Sequence, residues 1–138
     1  MPVQFHWNVE HYLLRTVMTG RWTEVELLHY IRDQWAHPER ERYDQISDCR
    51  DMDASAITPA VMQAMSGLHN ELNRARRHLR IAFVVSGAFG YGIGRQYETY
   101  CEASPVETRV FRSIPEAEAW LEQARRDHLP HEQPAAHP

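Results

Sequence analysis

The chain has 138 residues, 43% hydrophobic and 25% charged, with a formal net charge of −4. That length and balance suit one soluble globular domain and argue against a general nucleic-acid binder. All 15 of its Lys and Arg positions are arginine, so Schiff-base chemistry and a phosphate-loop lysine are both excluded.

Val3, Phe5, Trp7 and Val9 alternate with Gln4, His6, Asn8 and Glu10, a period of two that predicts a strand with one buried face. Residues 13–19 are rich in β-formers and predict a second strand, joined to the first as a hairpin and ended by Gly20. Thr23 with Glu26 three residues later spells a capping box. Val25, Leu28, Ile31 and Trp35 follow at helical spacing until Pro38 stops the helix. The charged run 38–42 reads as a solvated connection. A third strand is expected over 43–49, diluted by Asp44, Gln45, Ser47 and Asp48. A loop over 51–57 leads to Thr58 and Pro59, a cap followed by proline at the first helical position. Val61, Met65, Leu68, Leu72 and Ala75 form the apolar stripe of the second helix.

Residues 79–86 are nearly continuously apolar, as a central parallel strand covered on both faces should be. The glycine-rich turn 86–94 feeds a third helix bearing Ile93, Tyr97 and Tyr100, broken at Ser104-Pro105. A last strand is expected over 106–111. Ser113 and Glu116 make a second capping box, opening a helix that buries Ala117, Trp120, Leu121 and Ala124. Residues 127–138, rich in proline and histidine, are expected as a disordered tail, which leaves a single domain over 1–126. The order β-β-α-β-α-β-α-β-α predicts an α/β fold: one mixed, mostly parallel five-stranded sheet packed by four helices.

The opening residues have neither a basic n-region nor an apolar h-region, and the longest apolar run, 81–85, is too short to span a bilayer. Cys49 and Cys101 lack the C-x-x-C spacing and read as buried small hydrophobes, so a reducing, cytoplasmic setting is expected. No two of the nine histidines stand at the i, i+4 spacing of a helical zinc site, and neither a metal nor a cofactor is expected. Arg74, Arg76, Arg77 and Arg80 crowd one helix end and are expected to complement its dipole from solvent.

Several motifs carry a family likeness. Gly20-Arg-Trp22-Thr23 precedes the first helix, Asp48-Cys49-Arg50 leaves the third strand, and Ala56-Ile57-Thr58 leads to the second cap. Tyr91-Gly92 with Arg95 marks the third helix start, and Val110-Phe111-Arg112 with Ala117, Trp120 and Leu121 closes the chain. In this order, over about residues 3–122, the sequence resembles the STAS domain, the fold of bacterial sporulation anti-anti-sigma factors. It is more similar to the small STAS/Sec14-type proteins described as SpoIIAA-like. The resemblance implies a βα superhelix with one mixed sheet and binding of a small ligand or partner.

Two segments are candidates for contact. At the start of the third helix, Ser86, Gly87, Gly90, Tyr91 and Gly92 offer N–H groups to an anion, with Arg95 as a clamp for carboxylate or phosphate. The dinucleotide fingerprint is absent, because the third glycine of Gly90-x-Gly92-x-Gly94 comes one residue early. The competing reading gives these glycines to a tight turn and close helix packing, and Arg95 to an ion pair with Glu98 or Glu102. Phe89, large and apolar in such a turn, is expected to be exposed toward a ligand or partner. In the second segment, 53–58, the resemblance places a phosphorylated serine of the anti-anti-sigma branch, which makes Ser55 and Thr58 the phosphorylation candidates. The family's Asp-Ser-Ser-Gly reads Asp-Ala-Ser-Ala here, without the second serine and the glycine.

Asp48, Asp53 or a histidine could serve an enzyme as acid or base, but no nucleophile–base pair is legible. The expected function is therefore a non-enzymatic binding or regulatory module. Its ligand would be a small apolar, amphipathic or anionic molecule, or a protein partner, a second copy included, with no nucleic acid and no membrane span. The alternative is a phosphorylation-controlled anti-anti-sigma-type regulator. Both segments should meet beyond the strand C-termini.

Overall fold

Five strands line up in chain order: β1 (Val3–Asn8), β2 (Leu13–Arg21), β3 (Asp44–Asp53), β4 (Arg80–Val84) and β5 (Glu107–Phe111). In the computed structural model, which describes residues 3–76 and 79–136, β1 is antiparallel to β2 and all other neighbours are parallel. The helices are α1 (Glu24–Ala36), α2 (Pro59–Leu72), α3 (Gly87–Tyr100) and α4 (Ile114–Ala136), with short 3-10 turns at Pro38–Arg42 and Ala54–Ala56. This is the mixed five-stranded, four-helix order expected.

The helix starts are set locally. Thr23 Oγ1 accepts from the Glu26 amide at 3.2 Å while Glu26 Oε1 accepts from the Thr23 amide at 2.8 Å. Thr58 Oγ1 accepts from the Val61 amide, and Pro59 fills the first helical position. Ser113 Oγ accepts from the Glu116 amide and donates to the Glu116 carboxylate. Each pairing satisfies an amide that the helix cannot.

Two layers cover the sheet. Leu27, Ile31 and Trp35 of α1 join Val61 of α2 over Met18 and Ile81 on one face. Met62 of α2 packs with Tyr97 and Cys101 at the α3 end of that layer. On the other face, Ala117 and Leu121 of α4 pack on Ile46, Ala82 and Val84. Gly94 lets α3 settle on β5: a Cβ there would stand 2.4 Å from Val110 Cγ2.

Some expectations are corrected. β1 does not bury one face; as the sheet edge it leaves Phe5 42% and Trp7 37% exposed. Gly20 does not end β2 but takes φ 78° within it, a conformation that costs glycine little. β3 runs to Asp53, so the loop begins later than residue 51. The run 38–42 is not simply solvated, because Arg40 is fully buried. Its guanidinium lies 4.0 Å over the Trp35 ring and donates to the Tyr43 carbonyl and to Gln45 Oε1. α2 stops at Leu72, before Ala75.

Within the arginine cluster, Arg76 donates to the Leu72 carbonyl, as a C-terminal complement should, and also to the Trp35 carbonyl of α1. Arg80 is buried rather than solvated and pairs with Glu107; Arg77 lies outside the described residues. The helical backbone of α4 continues to Ala136, across residues 127–136 that the sequence led one to expect as a disordered tail. Residues 137 and 138 lie outside the described residues.

Candidate functional site

Between the sheet and the three helices on its α1 side lies a cavity of about 100 Å³. Its wall is soft: Met18 from β2, Met52 from β3, and Met62 and Met65 from α2 all reach it. Unbranched methionine fills irregular space and re-packs readily. On α3, Gly90 and Gly94 stand four residues apart, hence on one helical face, and both line the cavity without a side chain to fill it.

Polar groups enter this apolar wall at the α1–α2 side. On the sheet below, Tyr30 donates to Thr16 Oγ1 at 3.0 Å, Thr16 donates to Ser47, and Gln45 Nε2 reaches both Thr16 and Tyr30. Gln34 and His69 also line the cavity, 6% and 1% exposed, and Gln34 Oε1 and His69 Nε2 have no hydrogen-bond partner. Asn73 Nδ2 stands 3.4 Å from His69 Nδ1 and donates to it. With Nδ1 accepting from Asn73, the ring proton sits on Nε2, which is closed off from solvent.

Burial sets the protonation states here. Desolvation, reinforced by the Arg40 cation, pushes His69 down to about 4, so the imidazole is neutral near pH 7. Burial pushes the Cys49 thiol up to about 12 and raises Tyr30. The wall thus presents neutral groups that can hold a molecule, with no thiolate for nucleophilic attack.

The backbone is similar to that of an uncharacterized protein of the DUF3478 family with a SpoIIAA-like fold, from Shewanella loihica PV-4. The TM-score is 0.56 at 14% identity, covering 87% of this chain and 92% of that one. The chain has a SpoIIAA-like fold. No family model and no curated protein matches the sequence.

On this SpoIIAA-like frame the two sequence-predicted segments do meet beyond the strand C-termini. Ser86, the residue before α3, donates from Oγ to the Arg50 carbonyl of β3 at 2.7 Å. Ser86 and Gly90 line the cavity, as do Ala54 and Ile57 of the other segment. Phe89 is 63% exposed, Tyr91 lies under the Arg112 guanidinium at 4.1 Å, and Gly92 faces open space.

The anion cradle is not assembled as expected. Turn 86–94 is itself the start of α3, with Gly87 at φ 73°. Arg95 therefore lies roughly 8–12 Å along the axis from the free N–H groups of the first turn. It pairs with Glu98 at 2.7 Å, and Glu98 also accepts from the Val110 amide. Thr58 is engaged as a cap, whereas Ser55 is exposed and donates its amide to Asp53. Asp48 is held below the usual carboxylate range by a bidentate contact with Arg50, and Asp53 by its bonds from Ser55.

Among the described residues no group of three or more His, Cys, Asp or Glu is placed to hold a metal, and no helix is long and apolar enough to cross a membrane. Sequence reasoning missed Gln34, His69 and the methionine wall. The available signal was a histidine at the i+4 position from Met65, a polar residue on an apolar stripe.

Proposed function

We propose that this chain is a non-enzymatic binding module whose internal cavity takes a small apolar or amphipathic molecule. The observation that carries this reading is an apolar space of about 100 Å³ with two buried polar atoms left without partners in its wall. Well-packed cores hold few voids larger than a water molecule, and buried polar atoms are normally satisfied. A methionine wall suits occupants of more than one shape. The SpoIIAA-like fold is compatible with such a role, and Phe89 supplies exposed apolar surface on the helix whose first turns line the space.

Native mass spectrometry of the freshly purified chain tests it. The expected result is a bound mass that leaves on denaturation; an empty chain that also fails to take up benzene would overturn the reading. The second reading, a regulator modified at Ser55, is favoured by the exposure of that serine just before the α2 cap. Intact mass of protein recovered from its native cell reads it directly: an added phosphate supports it, and an unmodified chain under all growth conditions removes it.

A further inference from the structure

The two edges of the sheet are finished differently. β5 is blunted: Glu107 and Arg109 stand along it, and the Glu98 carboxylate of α3 takes its Val110 amide at 2.9 Å. β1 has no such device. Its six residues include no Asp, Glu, Lys, Arg or Pro, and no bulge interrupts its pairing with β2. A strand left in that state presents a row of backbone N–H and C=O groups that can template another strand.

We propose that a second copy of the chain covers this edge, with the two β1 strands antiparallel about a two-fold axis at His6 and the two sheets joined into one. The strand's own sequence favours that occupant, since it offers no charge by which a foreign segment could be selected. Symmetry limits the register. A two-fold axis between antiparallel strands keeps equivalent residues on one face, so odd positions oppose only odd ones. Centring on His6 sets Phe5 against Trp7 twice and Gln4 against Asn8 twice. Centring on Phe5 would give one aromatic pair and leave Trp7 opposite Val3. Aromatic cross-strand pairs are among the contacts that stabilise a sheet, and both rings stand partly in solvent. Each is already braced within its own copy, Phe5 by Tyr30 and Trp7 by Tyr43, so little ordering is left to pairing. The exposed parts of the two rings come to roughly 150–200 Å² per copy. That is small against the ~1,600 Å² of a standard interface, so the dimer is reversible rather than permanent.

Sedimentation of the full chain from low micromolar to several hundred micromolar concentration tests the pairing. The expected result is a shift from monomer to dimer, and a monomer throughout overturns the proposal. Cross-linking reads the register. His6→Cys should form a disulfide-linked dimer under mild oxidation, because opposed Cα atoms of an antiparallel pair lie about 4.5–5.5 Å apart, within reach of a disulfide. Gln4→Cys should not, since it faces Asn8 of the second copy. The wild-type chain, with Cys101 buried and Cys49 partly so, serves as the blank. Linkage through Gln4→Cys in place of His6→Cys overturns the axis at His6. A charge swap gives an independent reading at a position that is exposed. His6→Lys alone should weaken association roughly fivefold by setting like charges opposite each other, and mixing it with His6→Glu should restore dimers. Association that neither substitution changes belongs to another face and overturns the proposal.

Discussion

Gly94 and Gly92 sit two residues apart in α3, yet their surroundings give opposite predictions. A Cβ at Gly94 would meet Val110 Cγ2 at 2.4 Å, while one at Gly92 would find nothing within 4 Å. Gly94→Ala should therefore destabilise the chain by about 1–3 kcal/mol, the cost of overpacking. Val110→Ala in the same chain should return part of that loss. Gly92→Ala should stabilise by up to about 1 kcal/mol through helix propensity. Urea denaturation midpoints compare all three. Cys49 gives a chemical check: with its thiol pushed up to about 12 by burial, the native chain should resist iodoacetamide at about pH 8 and react once unfolded. Mass spectrometry counts the adducts. At this scale the caps were legible because their bonds close within three residues. Arg40 and His69 were not, since Trp35, Gln45 and Asn73 bury them through contacts that the spacing of charges does not announce.

At the scale of elements, the Thr23–Glu26 capping box forms as its spacing predicts, whereas at α4 the Glu116 carboxylate takes the Ser113 hydroxyl rather than its amide. Thr23→Ala removes the hydroxyl half of a capping box, leaving Glu26 on the backbone amide of residue 23, and should cost about 1 kcal/mol, read as a lower thermal midpoint. The third strand was under-read for the opposite reason. Gln45 and Ser47 look like dilution in a strand, but each is paired across the sheet or to α1, so their polarity is part of the core. β1 was over-read: its alternation is clear, but period two says only that a strand has two faces. Being the edge, it leaves Phe5 and Trp7 partly in solvent, Phe5 stacked near Tyr30 and Trp7 edge-to-face with Tyr43. The 86–94 segment lies at a helix start, as its sequence suggests, but nearly all of it is helix rather than turn. Glycines in a row suggest a loop, whereas here they thin a helix where it meets β5 and the cavity.

The whole molecule should show its buried imidazole in its pH response. His69 titrates near 6.5 when unfolded and about 4 when folded, so between those values the unfolded chain binds more protons. Stability is full above about 6.5 and falls as pH drops toward about 4, by roughly 3 kcal/mol at 1.36 kcal/mol per unit. The difference between wild type and His69→Phe, followed by urea denaturation across that range, isolates the contribution. A flat difference would mean that the ring stays accessible to protons in the folded state.

The distribution of packing has a mechanical side as well. One sheet face is closed by α4 on Ile46, Ala82 and Val84, and the other holds about 100 Å³ of space under three helices. Unfolding gives that space up to water, a volume decrease on the order of 60 mL/mol at most, within the range known for proteins of this kind. Hydrostatic pressure should therefore act on the cavity side of this molecule first. An occupant that fills the space should raise the pressure midpoint in proportion to the volume it takes.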